Sequence, residues 1–167
     1  RNFPRREGFG VIWLKNSGGG NNPGGVDVVD RMGAKVVWFP TVDSENDYNY
    51  RSTHNNNDFV NGNVGQVKTP HINILQDGKL IPGVEQILDI IKQHDMVLCT
   101  GHISPAESLA LIQAAHAKGI TKIVATHPSY PLNFTPMGRQ KQLVELGARM
   151  EHPAYELVYK IVPWADF

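Results

Sequence analysis

Val97-Leu98-Cys99-Thr100-Gly101-His102-Ile103-Ser104-Pro105-Ala106-Glu107 is the stretch that decides the fold. A strand-sized apolar run, starting at Met96, stops at a glycine. Ser104-Pro105-Ala106-Glu107 then supplies an N-cap, a proline at the first helical position and a glutamate placed to close a capping box. Gly119 stands where that helix needs a left-handed stop. The same grammar recurs downstream, with a run ending Val124-Ala125-Thr126-His127, an N-cap-plus-proline signal at Thr135-Pro136, and a stop at Gly147. Working outward, the pattern predicts strands over 11–14, 35–39, 96–100, 122–126 and 148–151, apolar enough to be buried on both faces. Helices are expected over 25–32, 83–94, 105–118 and 136–146.

Strands alternating with helices imply βα units, a parallel sheet and an α/β class. Strand centres near 13, 37, 98, 124 and 149 recur about every 25 residues, except for an interval of 61 between the second and third. The excess falls in a polar, asparagine-rich loop at 41–80, in which His71 to Leu75 and Asp77-Gly78 read as a small strand and turn. A loop of this length is usually functional or disordered. It leaves a strand at Pro40 and rejoins a helix near Pro82, so it is expected to lie over the carboxyl end of the sheet. With no linker or longer repeat to divide it, the chain reads as a single domain, 1–167.

Composition excludes several classes. Of 167 residues 41% are hydrophobic, and Lys plus Arg equals Asp plus Glu at 16 each, so a core is available and no basic surplus points to nucleic acid. No apolar run approaches the roughly 20 residues that span a bilayer, and no secretory signal is visible. A lone cysteine, Cys99, precludes an internal disulfide framework and suits a reducing, cytoplasmic compartment; in its strand it reads as core. Because Arg1 is not a methionine, it is expected not to be the true start.

Two of the seven histidines occupy matching places. His102 and His127 follow consecutive strands, and adjacent parallel strands lie about 4.8 Å apart. Side chains projecting the same way from there can share one ion through bonds of about 2.0–2.1 Å. The carboxyl edge is also where α/β sheets hold their chemistry. Against this stands the structural alternative that a strand-end histidine is only a hydrogen-bonded residue, and two ligands fall one short of a catalytic zinc set. His152, ending the last strand, is a third candidate, as a catalytic or substrate-contacting group facing the same mouth. Asp43, just past a strand end, is a candidate acid/base group or a turn aspartate. Lys15 opens a glycine-rich turn that can hold a substrate anion, and His54 and His71 lie in the long loop, His54 as a candidate substrate contact. His94 and His116 read as structural.

Val36-Val37-Trp38-Phe39-Pro40-Thr41-Val42-Asp43-Ser44, Ile74-Leu75-Gln76-Asp77-Gly78-Lys79-Leu80, Cys99 to Pro105 and Ala125-Thr126-His127-Pro128 come in an order that resembles an uncharacterised microbial, amidohydrolase-like family of the metal-dependent hydrolase superfamily. The resemblance covers about Gly8 to His152. It implies a (β/α)₈ barrel with metal at the strand carboxyl ends, here a partial barrel of about five βα units. His102 and His127 match the fifth- and sixth-strand ligands of that superfamily. Its first-strand His-x-His pair has no counterpart in this sequence, and Asp166 lies too near the end to be matched to the eighth-strand aspartate. The missing ligands are expected before Arg1 and after Phe167, or the site is degenerate.

The expected function is hydrolysis of a small amide, ester or related substrate by water activated on a divalent ion, zinc first among candidates. The competing reading is a catalytically silent α/β domain that binds a small anion or serves in assembly. Expected partners are a small-molecule substrate and a second copy, or additional chain, that covers the open strand edges. Nucleic acid and membrane are not expected.

Overall fold

The structure is a computed structural model that describes residues 10–54, 70–161 and 163. Much of the asparagine-rich part of the loop, from Asn55 to Asn63, and Asp166 fall outside those residues. The described chain is α/β. A five-stranded parallel sheet is built from β1 (Gly10–Trp13), β2 (Ala34–Trp38), β5 (Val97–Cys99), β6 (Ile123–Thr126) and β7 (Ala148–Glu151), in the order β1-β2-β5-β6-β7. Strands follow one another across the sheet in chain order, with no reversal. Helices α1 (Pro23–Arg31), α3 (Pro82–Gln93), α4 (Pro105–Ala117) and α5 (Met137–Glu145) fill the crossovers, and a short α6 (Tyr155–Val158) follows β7. Right-handed crossovers that always step in one direction bring their helices to one face of the sheet.

Strand residues alternate between faces, so register decides which side chains meet the helices. Ile12, Val37, Leu98, Ile123 and Ala148 stand in one row across the sheet. The last four join the core with Val26, Ile87, Leu88, Ile91, Leu111, Ile112 and Leu143 from the helices, and Ile12, partly buried, packs against it. The adjacent row is Trp13, Trp38, Cys99, Val124 and Arg149, on the opposite face. The row is apolar as far as Val124 and ends on Arg149, and the face is unevenly covered: Cys99 is 3% exposed, whereas Trp13 is 52% and its strand-mate Val11 48% exposed. Burial on both faces therefore fails for β1, which among the described residues pairs with β2 alone.

The segment 41–80 is more structured than a loop. It contains α2 (Glu45–His54) and an antiparallel hairpin of β3 (Leu75–Gln76) and β4 (Lys79–Leu80). Asp77 and Gly78 turn that hairpin with φ of 51° and 74°, the left-handed pair a tight two-residue turn needs. The expected capping box at α4 is present, with Ser104 Oγ accepting from Glu107 N–H and the Glu107 carboxylate accepting from Ser104 N–H. The expected Thr135 cap is not: its hydroxyl donates to Asn133 O at 2.9 Å, and Pro136 occupies the cap of α5. No helix among the described residues is long and apolar enough to cross a membrane.

Candidate functional site

Both strand-end histidines are fixed through their backbones. Gly101 turns the chain out of β5 at φ 68°, and a Cβ there would lie 2.3 Å from Phe39 O and 2.6 Å from Pro40 O. Only glycine permits that approach between the ends of β2 and β5. His102 N–H then donates to Pro40 O at 2.8 Å, and its own carbonyl accepts from Ser44 Oγ at 2.8 Å and Asn46 Nδ2 at 3.1 Å. Asn133 ties the two strand ends together, its Nδ2 donating to Gly101 O at 3.0 Å and Thr126 O at 3.1 Å. His127 has φ 50°, a left-handed conformation that a side chain with a Cβ adopts only when its surroundings impose it.

These anchors bring the imidazole rings of His102 and His127 to a centroid separation of 5.7 Å. Two imidazoles sharing one tetrahedral ion have centroids roughly 5.2 Å apart, so the observed spacing lies within reach of that arrangement. His102 Nδ1 is 2.6 Å from Oδ2 of Asp47, a fully buried residue of α2. Arg51, one turn on, grips both Asp47 oxygens through Nε and Nη2. Burial pushes the Asp47 carboxyl up, but the His102 and Arg51 hydrogen bonds and charges outweigh it and leave the group below the usual range. An ionised carboxylate can only accept, so the His102 Nδ1 that faces it is the donor, and Nε2 is the ring nitrogen left to meet a ligand.

The surroundings of His127 differ. Its Nδ1 is 3.7 Å from Glu151 Oε2 and 3.7 Å from Glu156 Oε1, beyond hydrogen-bond reach. His127 Nδ1, Glu151 Oε2 and both Glu156 oxygens are buried with no hydrogen-bond partner. Burial, helped by the charge of His102, pulls His127 down to about 4, so this ring is neutral near pH 7. Burial raises Glu151, and burial together with the Glu151 charge pushes Glu156 up to about 7. Tyr155 stands edge-on to the His127 ring at 6.0 Å, with Tyr130 tilted at 6.5 Å.

Imidazole nitrogen and carboxylate oxygen are the ligand types that zinc and similar divalent ions take. The orphaned atoms on His127, Glu151 and Glu156 depart from the rule that buried polar groups find partners. As the side chains lie, no group of three or more His, Cys, Asp or Glu among the described residues is close enough to hold a metal ion.

The other residues singled out from sequence are dispersed. His152 Nδ1 is 2.9 Å from Ser129 Oγ, which places it beside the turn two residues beyond His127. Asp43 Oδ2 accepts from Asn16 N–H at 2.8 Å, fastening the glycine-rich turn to the entrance of α2. Lys15 Nζ sits 4.7 Å over the Trp13 ring. His54 is exposed at the end of α2 and stacks on Tyr50 at 4.2 Å. Cys99 is core, its thiol pushed up to about 12 by burial and then by Glu151. Sequence reasoning missed Asp47, Arg51, Glu151 and Glu156. Only Asp47 had a signal: Ser44-Glu45-Asn46-Asp47 is a helix-start pattern, and Ser44 Oγ indeed accepts from Asp47 N–H at 3.1 Å.

Comparison with curated proteins and with solved structures finds no match to this chain. The profile of one family, described as a family of unknown function, matches residues 1–151. The chain belongs to that family, DUF6282.

Proposed function

We propose that the chain is the central arc of an amidohydrolase-like, metal-dependent hydrolase barrel that acts on a small amide, ester or related substrate at the mouth defined by His102 and His127. The observation that carries this reading is the Asp47–His102 hydrogen bond of 2.6 Å. A metal-ligating histidine characteristically donates its other ring N–H to a carboxylate, which fixes the tautomer and strengthens the ligating nitrogen. His102 has that partner, and His127 stands 5.7 Å away as a neutral ring. The arc reading is supported by the unreversed strand order and by a second face on which Val11 and Trp13 of β1 stand half exposed, as inward-facing barrel residues are before further chain covers them.

His102 and His127 would hold a divalent ion, zinc first, which when bound lowers the pKa of a coordinated water and polarises the substrate carbonyl or phosphoryl group. The chain's own residues prepare that site. Asp47 holds His102 in one tautomer, Arg51 keeps Asp47 ionised, and Asn133 holds the two strand ends at fixed spacing. His152 borders the mouth through Ser129, and Lys15, two residues past β1 at the same edge, is a cation for a substrate anion. The test is metal content in protein purified without chelators, together with hydrolysis of an ester and amide panel before and after chelation. Close to one equivalent of a divalent metal and chelator-sensitive turnover are expected. Protein that retains none and takes up none from added zinc would overturn the reading in favour of a catalytically silent ligand-binding domain.

A further inference from the structure

A cavity of about 310 Å³ lies beside the turn that carries His102, bordered by α2, by the entrance of the β3–β4 hairpin and by the first turn of α4. That volume falls at the small end of the range for ligand pockets. We propose that the cavity binds an uncharged, polyhydroxylated small molecule of monosaccharide size, at a site separate from the mouth between His102 and His127. The inference does not depend on the metal-hydrolase reading, because among the described residues no histidine lines the cavity.

One part of the lining is already closed by hydrogen bonds. Glu107, which is buried, accepts from Ile74 N–H at 3.0 Å on Oε1, and from Ser104 N–H at 2.9 Å and Ser104 Oγ at 2.8 Å on Oε2. Asn46 Nδ2 donates to the carbonyls of His102 and Leu132, each 3.1 Å away, which leaves its Oδ1 as an acceptor. These bonds hold the cavity in shape before a ligand arrives, so binding has less order to impose. Other groups remain for the ligand itself. Glu45 and Asn49 stand four residues apart on α2 and share one helix face, and Asn73 borders the cavity from the segment before the hairpin. Carboxamides both donate and accept, and the Glu45 carboxylate accepts.

Charge selects against ions of either sign. Two glutamates line the cavity and, among the described residues, no lysine or arginine does, so an anion meets repulsion. A cation meets the amino-terminal turns of α2 and α4, whose dipoles oppose it, and a Glu107 whose two oxygens are occupied. A ring of hydroxyl groups fits what is left. Each hydroxyl donates to a carboxylate or carboxamide oxygen and accepts from a carboxamide N–H, while Leu75 supplies apolar contact for the C–H groups of the ring.

The test is a titration of the nitrogen-15-labelled chain with the neutral methyl glycosides of glucose, mannose and galactose, followed by NMR. Glucuronate and glucosamine serve as an anion and a cation of the same ring size. With at least one neutral glycoside, the side-chain amide signals of Asn46, Asn49 and Asn73 and the backbone amide of Leu75 should shift together and saturate, with a dissociation constant in the millimolar range. The two charged sugars should bind about tenfold more weakly. Asn49→Ala and Asn73→Ala, at exposed positions, should each weaken binding about fivefold, the usual net worth of one hydrogen bond, and leave the circular dichroism unchanged. No saturable shift of these signals with any of the three glycosides would overturn the site, as would binding that both alanine variants leave intact. Glucuronate or glucosamine binding there as tightly as the neutral sugars would overturn the assignment of an uncharged ligand. Metal content of the same protein decides the hydrolase reading separately, so either can fail while the other stands.

Discussion

Asp47 Oδ2 and His102 Nδ1 meet at 2.6 Å across 55 residues of sequence, joining a helix no apolar pattern announces to the end of a central strand. The contact is charge-assisted and shorter than a typical neutral N–H···O bond. It divides labour at the ring: the nitrogen facing α2 is a committed donor, and the other is left as a base or ligand.

Asp47→Asn preserves the shape of this contact but removes the charge that selects the tautomer. Nitrogen-15 shifts of the His102 ring should report a protonated Nδ1 in wild type and a mixture of tautomers in the variant. Divalent-metal affinity should fall about 10–100-fold, the usual effect of losing a carboxylate that orients a ligating histidine. A variant with one unchanged tautomer would show that Asp47 only anchors Arg51.

Two glycines make a matched pair. Gly101→Ala places a Cβ 2.3 Å from Phe39 O at φ 68°, so it should destabilise the fold by about 2 kcal/mol or more through strain and backbone displacement. Gly138 lies in α5 with nothing within 4 Å of an added Cβ, and Gly138→Ala should stabilise by about 0.5–1 kcal/mol. Urea midpoints of the two variants should move in opposite directions, and a Gly101→Ala protein as stable as wild type would contradict the close packing of β2 against β5.

What the sequence disclosed follows the physics of each element. Where burial and period coincide, as in β5, α4 and β6, expectation and structure agree within one or two residues, because an apolar run between a cap and a glycine stop has few other folds open to it. The two histidines were legible for the same reason, since a strand end fixes direction as well as position. Helix α2 was not. Its described face toward the protein is polar, with Asp47 as its buried residue, so no hydrophobic stripe marks it. Glu156 was equally silent. Its burial depends on how the chain turns after Pro153, a tertiary fact with no local signature.

Cys99 offers a test of core packing on the second face of the sheet. With the thiol pushed up to about 12, about one group in ten thousand is ionised at pH 8, and the side chain is 3% exposed. A disulfide reagent at pH 8 should leave the native chain unmodified over hours and react at once in denaturant. Raising the pH should increase the native rate, because only the thiolate attacks. Rapid modification of the folded protein at pH 8 would mean that β5 is open on its second face.

Asn133 makes the final prediction, because it holds both histidine-bearing strand ends with one side-chain amide. Its Nδ2 donates to the carbonyls of Gly101 and Thr126, the residues immediately before His102 and His127. Asn133→Asp keeps the shape, yet a carboxylate cannot donate, so both carbonyls would face an acceptor. Asn133→Ala leaves them buried without a partner, at a cost of about 1–3 kcal/mol. Both variants should lower the urea midpoint, with the aspartate at least as harmful as the alanine although it is the closer isostere. The nuclear Overhauser effect between the His102 and His127 ring protons should weaken in parallel, because the 5.7 Å separation depends on this tie. If Asn133→Asp matched wild type in stability and in that inter-ring signal, strand pairing alone would set the spacing, and the amide would have no part in building the site.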